Sequence, residues 1–359
     1  MKAIQPNEIW LLIDSLTMGG IESHVCEISL GLKQFNHPVR VIFIARYETP
    51  APLEEKLDRG GIPYLYLNQE FTGLPPLLSL LKAVEKYQPS LIHSHGYKAS
   101  LLSKLIHLKT HTPQISTFHA GETPKGRVWL YDLIDRSTAF ISNEVIAVSS
   151  QIQSKLPCHS LRLNNFVSNP NPTLTHGLQI AFVGRLSHEK APDRFIDIAK
   201  ASPTHKFHCY GEGPMEASLH VRKPSNLEFH GHQSDMAQVW PNISVLIICS
   251  RFEGLPMAAL EAMSRGIIVM ATSVGDLPAL LENRINGYLV DHWRELGNAI
   301  EHWFMLSDSS KKMMRIRALH TWQKNYTVDA VIPQLTHIYR KHASAGFLAN
   351  TLSDSQNEN

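Results

Sequence analysis

The sequence predicts an α/β protein built from two doubly wound, Rossmann-like domains, and three observations carry that expectation. Short apolar runs alternate with longer amphipathic segments along most of the chain, the pattern of parallel strands joined by crossover helices. At 359 residues the chain exceeds one typical core and suits two domains of ordinary size. The run Val245-Leu246-Ile247-Ile248-Cys249 reads as a buried parallel strand that delivers a loop to a helix, with Pro256 where that helix takes its first residue. A junction of this kind is the anatomy of a binding crevice. Gly254 lets the backbone approach a ligand, and the first-turn amides of the helix point at whatever anion or hydroxyl lies there. Glu253 stands just ahead of the helix and Glu261 on it, so both carboxylates can face one crevice.

Composition narrows the class. Hydrophobic residues make up 43% and charged residues 18%, as in a soluble globular protein. A net charge of +2 argues against nucleic-acid binding, which calls for a clearly basic face. Cys26, Cys158, Cys209 and Cys249 lie far apart without C-x-x-C spacing and read as small apolar residues in a reducing compartment. The apolar run at residues 9–13 is bracketed by Glu8 and Asp14 and is too short for a bilayer span or a signal core. The chain therefore reads as cytoplasmic.

Taken in order, residues 8–14 form the expected first strand, Met18-Gly19-Gly20 a turn, and 21–35 a helix. The G-x-G-x-x-G of a dehydrogenase is absent here, and Gly19-Gly20 on local grounds is equally a plain tight turn. Strands are expected at 39–45, 64–67 and 91–93, with helices at 53–59 and 77–87 between them. The fourth strand ends in His93-Ser94-His95-Gly96. His93 and His95 would point the same way, which raises a metal site; no third ligand is suggested nearby, so a hydrogen-bonded histidine at a strand end is the preferred reading. Residues 114–118 form the fifth strand. His119-Ala120-Gly121-Glu122 follows at its carboxyl edge, where open α/β sheets bind ligands. Residues 145–149 close the first sheet, and 161–172, interrupted by Asn-Asn and two Asn-Pro pairs, read as the connection between domains.

The second domain opens with a strand at 179–183 and the segment G-R-L-S-H-E-K-A from Gly184. Strands at 207–210, 227–231 and 267–272 follow, and from Trp293 the pattern is helical to about Tyr339. The polar end of the chain, 344–359, is expected to be disordered.

Several of these stretches together resemble the retaining family 4 glycosyltransferases. They are the two glutamates separated by seven residues with G-L-P between them, G-G-I-E-S-H-V from Gly19, H-S-H-G from His93, and G-R-L-S-H-E-K-A with Ala191 in place of the usual glycine. The resemblance covers residues 8–340 and implies the GT-B fold: two Rossmann-like domains facing a central cleft, with the last helix crossing back to the first. Residues 1–170 with 326–343 would form the acceptor-side domain, and 171–325 the donor domain.

The resemblance also implies a site. Gly19 and Gly20 would approach the donor's diphosphate, Arg185 and Lys190 would clamp it, and His119 would reach the donor sugar or the reaction centre. Glu253 would hold sugar hydroxyls, with Gly254 and Leu255 lining the donor, Glu261 would hold the ribose, and the backbone of residues 232–235 would meet the base. A cation pair suits a departing diphosphate, because negative charge builds on the leaving oxygen. No metal and no cofactor is expected, since these cations supply the positive field and the departing phosphate can take the acceptor proton. The substrate would be a nucleotide-diphosphate sugar, with a UDP-sugar favoured by the resemblance alone. The activity would be hexosyl or N-acetylhexosaminyl transfer to a glycan or lipid-linked glycan in cell-surface polysaccharide or lipopolysaccharide synthesis.

Alternatives stay open at this stage. An ion pair with Arg265 four residues on would account for Glu261, surface charge for Arg185 and Lys190, and a loop hydrogen bond for His119. The same architecture serves epimerases, phosphorylases and catalytically silent subunits of polysaccharide-assembling complexes. Lys98, Lys104, Lys109, Lys125 and Arg127 against Glu122 alone give residues 97–127 a basic excess, from which peripheral contact with the inner membrane face is expected; a solvated helix face is the alternative.

Overall fold

The computed structural model describes residues 4, 6–15, 19–47, 51–119, 127–169 and 172–343. The expectations for Met18, Gly121, Glu122, Lys125 and the tail 344–359 lie outside them. The chain divides into two compact units, Met1–Asn164 with Val328–Asn359, and Asn165–Thr327. The division falls at 164 and 327, where the sequence suggested 170 and 325.

The first unit holds a seven-stranded sheet. Its strands are β1 (Ile9–Ile13), β2 (Val39–Phe43), β3 (Tyr64–Tyr66), β4 (Leu91–His95), β5 (Gln114–Phe118), β6 (Glu144–Ala147) and β7 (Leu161–Arg162), in the order β3-β2-β1-β4-β5-β6-β7. Every pairing is parallel. Parallel strands are covered by helices on both faces, which is why β1 is buried throughout and reads as an unbroken apolar run, while the equally buried β2 carries one charge, Arg40, met by Glu8 at 2.8 Å. The strand order reverses between β1 and β4, so the carboxyl ends of these two strands open a crevice.

Helix Gly20–Gln34 springs from that end of β1, and helix Val328–His342 packs on it. Gly31 makes this packing close: a Cβ there would stand 2.6 Å from Ile332. The strand β7 departs from expectation, since residues 161–172 were assigned wholly to a connection. Two residues carrying an arginine give no periodicity to detect, and their pairing to β6 is set by the sheet edge.

The second unit repeats the plan. Its strands are β8 (Gln179–Val183), β9 (Phe207–Tyr210), β10 (Leu227–Gly231), β11 (Ile243–Ile248), β12 (Ile268–Thr272) and β13 (Tyr288–Val290), in the order β10-β9-β8-β11-β12-β13 and all parallel. Along β11, Leu246 and Ile248 enter one core with Leu260 and Met263, while Val245 and Ile247 enter the opposite core with Phe195 and Phe207. Here the order reverses between β8 and β11. The segments after those two strands begin at Gly184 and Ser250, the sequences singled out above.

Candidate functional site

In the second unit the turn after β8 is held by backbone bonds. Gly184 N–H donates to the Tyr210 carbonyl at 3.0 Å and Leu186 N–H to the Glu212 carbonyl at 2.9 Å. The turn runs so close to residues 211–213 that a Cβ on Gly211 would sit 2.0 Å from the Gly184 oxygen. Arg185 projects from it exposed. Lys190 follows, half-buried, and Ala191 closes the segment at φ 55°, a left-handed backbone that glycine adopts without strain. The substitution noted in the sequence therefore falls on a position whose geometry favours the residue it replaces. Pro192 then opens helix Pro192–Ala201.

The loop after β11 meets this segment. Lys190 Nζ donates to both oxygens of Glu253, at 2.8 and 2.7 Å, and Ser250 Oγ donates to Glu253 Oε1 at 2.7 Å. Glu253 is almost enclosed, its side chain 6% exposed against 35% for Lys190. Arg251 ties the two loops together, its N–H donating to the Glu189 carbonyl at 2.7 Å and its guanidinium clasping Asp193 at 2.9 and 2.6 Å. That clasp, with a helix-start backbone bond, holds the Asp193 carboxyl below its ordinary range.

Gly254 and Leu255 are fixed through their carbonyls, which accept from Asp276 N–H at 2.9 Å and from Asn165 Nδ2 at 2.7 Å. Gly275, at φ 58°, passes so near that a Cβ would lie 2.4 Å from the carbonyl oxygens of Glu253 and Gly254. The following helix is Met257–Met263, one residue later than predicted, with Pro256 as its cap. Leu255 itself is buried in the core beneath the loop, so its backbone rather than its side chain is presented.

Glu261 accepts from the indole Nε1 of Trp240 at 3.1 Å. Arg265 donates to the Glu261 carbonyl at 2.8 Å, and its guanidinium lies 5.9 Å over the Trp240 ring. The structure brings Glu253 and Lys190 together, and Glu261 on the helix bonds Trp240. Sequence reasoning missed Ser250 and Trp240. The serine lies in the loop, three residues before the glutamate; the tryptophan is 21 residues from Glu261 and carried no local signal.

Beside the loop lies a cavity of about 450 Å³ lined by His188, Arg194, Phe252, Thr272, Asp291 and Trp293 among others; none of the expected donor residues lines it.

In the first unit, the reversal between β1 and β4 gathers histidines. His119 Nε2 lies 3.1 Å from His95 Nδ1, and the His24 ring is 4.8 Å from the His119 ring and 5.7 Å from the His95 ring. His93, by contrast, is turned to Tyr339 Oη at 2.7 Å and Thr117 Oγ1 at 2.6 Å. The rings of His93 and His95 lie 4.2 Å apart, but both His93 nitrogens are engaged, and the third nitrogen absent from the sequence reading comes from His24, one helical turn beyond Gly20. Donor atoms of His24, His95 and His119 all lie within 4.8 Å of one another. Among the described residues this trio consists of imidazoles alone, without a carboxylate.

Burial pushes His24 down to about 4 and His93 down to about 3, and holds His95 and His119 well below the ordinary imidazole range. At neutral pH His119 is an uncharged group whose Nε2 is engaged with His95. Gly19 caps helix Gly20–Gln34 in an extended conformation, with the Glu22 carboxyl against it; burial raises that carboxyl, while bonds from backbone amides and Ser15 oppose the rise.

The basic excess of residues 97–127 is smaller than its composition. Lys98 pairs with Asp14 at 2.8 Å, and Lys104 is buried against Asp135 at 2.6 Å. Lys109 is exposed. No helix of the described residues is long and apolar enough to cross a membrane.

Comparison with known proteins finds a family match in each unit. Residues 18–160 match Glycosyltransferase Family 4, and residues 177–305 match Glycosyl transferases group 1. An uncharacterized glycosyltransferase of Methanocaldococcus jannaschii is 26% identical over 317 residues, covering 81% of this chain and 84% of that protein. The O-antigen biosynthesis glycosyltransferase WbnH of Escherichia coli is 26% identical over 151 residues, 42% of this chain and 40% of WbnH. Among solved structures, Anabaena HepE in complex with UDP-glucose superposes with a TM-score of 0.79 at 18% identity, over 93% of this chain and 99% of that one. With both units matched in order and the two-sheet fold shared, the chain belongs to the GT-B glycosyltransferases.

Proposed function

We propose that the protein is a retaining glycosyltransferase that moves a hexosyl or N-acetylhexosaminyl group from a nucleotide-diphosphate sugar to an acceptor hydroxyl. The observation that carries this reading is the Lys190–Glu253 pair at the strand-order reversal of the second unit, flanked by the exposed Arg185. There a diphosphate would find two cations and a sugar would find a fixed carboxylate. His119, neutral and held by His95, suits a hydrogen bond to a sugar hydroxyl rather than proton transfer. No metal or cofactor enters this reading, because the two cations meet the developing charge. A UDP-sugar donor is favoured by the family resemblance and by the UDP-glucose in the HepE structure.

The names of relatives such as WbnH support an acceptor in surface-polysaccharide or lipopolysaccharide assembly, a glycan or lipid-linked glycan met in the cytoplasm at the inner membrane face. With Lys98 and Lys104 engaged elsewhere, support for membrane contact comes from helix Arg127–Ser137, where Trp129, Leu130, Tyr131, Leu133 and Ile134 are exposed. Such contact should depend on apolar insertion more than on salt.

A thermal-shift panel of nucleotide sugars, followed by NMR of the transferred anomeric centre, tests the proposal. Stabilisation by one donor and a product of unchanged anomeric configuration are expected. No response to any donor, or an inverted product, overturns it.

A further inference from the structure

We propose that His208, Glu228 and His230 form a zinc-binding site at the edge of the second unit's sheet, on the strand that leads into residues 232–235 and away from the Lys190–Glu253 pair. Glu228 on β10 is the register partner of His208 on β9, so their side chains stand side by side on one face. His230 lies two residues beyond Glu228, and the register shifts between Phe229 and Gly231, leaving His230 as the extra residue of a bulge. Bulges re-aim side chains, and this one brings His230 Nε2 to 3.0 Å from His208 Nδ1. Glu228 Oε2 lies 3.8 Å from the first of these nitrogens' partners, His208 Nδ1, and 3.9 Å from His230 Nε2.

These three separations suit one ion. Zinc bonds of about 2.0–2.1 Å in a tetrahedron place ligand atoms about 3.3 Å apart. The nitrogens need open by only a few tenths of an ångström and the carboxylate close by about half of one, which a side chain 60% exposed does freely. Two imidazoles and one carboxylate are a recurring zinc donor set with a fourth position left to water. The partial exposure of Glu228 and His230 provides that opening.

Neighbouring groups hold the ligands in place. The Tyr210 ring stacks on His230 at 4.5 Å, Tyr210 Oη donates to Gln179 Oε1 at 2.7 Å, and Gln233 Nε2 donates to the His230 carbonyl at 2.8 Å. Unlike the buried trio of the first unit, this set carries an anion and faces water, so a dication's charge is partly offset by Glu228 and the rest is met by solvent. A bound ion would clip the edge strand β10 to β9.

The test uses the untagged full chain stripped with chelator and titrated with zinc chloride by calorimetry, with cobalt chloride as a spectroscopic stand-in. One equivalent of metal, a tetrahedral cobalt absorption band and a raised thermal midpoint are expected. Glu228→Gln, at an exposed position that leaves the fold intact, should weaken zinc about 10-fold or more, and His230→Gln should abolish the cobalt band. Absence of zinc binding at micromolar concentration overturns the site. So does binding that persists unchanged in both variants, whether at the buried histidine trio or elsewhere.

Discussion

Lys190 Nζ sits between the two carboxylate oxygens of Glu253, so the cation expected at a diphosphate and the anion expected at a sugar neutralise each other in the ligand-free protein. Incoming diphosphate must compete with Glu253 for the lysine. Glu253→Gln keeps the size and the bond from Ser250 but frees the lysine's charge. Nucleoside diphosphate should then bind equally well or several-fold tighter by calorimetry, while sugar transfer falls at least 100-fold. Weaker diphosphate binding, or transfer at the parent rate, would show that the pair does not lie at the donor.

The reciprocal change has a different signature. Lys190→Ala removes one charge-assisted contact and should weaken a nucleoside diphosphate by one to two decades, about 1.5–3 kcal/mol, while hardly altering the matching nucleoside. It also leaves a nearly enclosed carboxylate with Ser250 as its remaining named donor, so a lower thermal midpoint should accompany the loss. Equal losses for nucleoside and nucleoside diphosphate would point to a general disturbance of the loop.

A second ion pair makes a stability prediction with no bearing on the donor. Lys104 and Asp135 are both buried, 2.6 Å apart, and Lys104 also donates to the Asp135 carbonyl at 2.7 Å. Desolvation is the largest influence on each, lowering the lysine and raising the aspartate. Lys104→Met alone should cost about 3–5 kcal/mol by leaving a buried carboxylate uncompensated, whereas Lys104→Met with Asp135→Leu should recover most of that. Urea unfolding of the two variants decides it; equal destabilisation by single and double changes would refute the account.

What the sequence made legible follows its physics. Strands buried on both faces announce themselves as apolar runs, so β1 and β8 were readable to within a residue or so, and the more polar β5, β9 and β10 were placed equally well by their position between turns. The loops after β8 and β11 stood out through the motifs G-R-L-S-H-E-K-A and G-L-P between two glutamates, not through any periodicity. Pairings across the fold were not. Nothing local joins Lys190 to Glu253, Glu261 to Trp240, or His119 to His24, and Lys104 read as surface charge because its partner lies 31 residues away. The shortest strand, β7, owes its existence to a neighbour rather than to its own residues.

Acid should unfold the first unit through its histidines. Burial lowers His24 to about 4 and His93 to about 3, while the unfolded chain titrates near 6.5. A depressed folded value means the unfolded state takes up the proton first as pH falls. The stabilisation is therefore complete above about 6.5 and is lost as pH drops towards the folded values, by about 1.4 kcal/mol per pH unit for each such histidine. Urea midpoints should be level from pH 8 to 7 and fall steeply from 6.5 to 4.5, and His93→Gln should flatten the fall. A flat profile over that window would mean these rings are solvated.

Ala191 offers the sharpest test of the donor turn's geometry. It is fully buried at φ 55°, immediately after the lysine that holds Glu253. A left-handed backbone costs an alanine about 1–2 kcal/mol, which glycine avoids. Glycine, however, gives up a buried methyl, about 0.8 kcal/mol, and adds freedom to the unfolded chain worth about 0.4–1 kcal/mol. These terms offset, so Ala191→Gly should change the urea midpoint by less than the equivalent of about 1 kcal/mol and leave nucleoside diphosphate affinity intact. Ala191→Val places a branched side chain in the same conformation and should lose about 2–3 kcal/mol, with weakened diphosphate binding as the turn shifts Lys190. If valine is tolerated as well as glycine, residue 191 does not adopt the left-handed backbone, and the presentation of Lys190 to Glu253 must be redrawn.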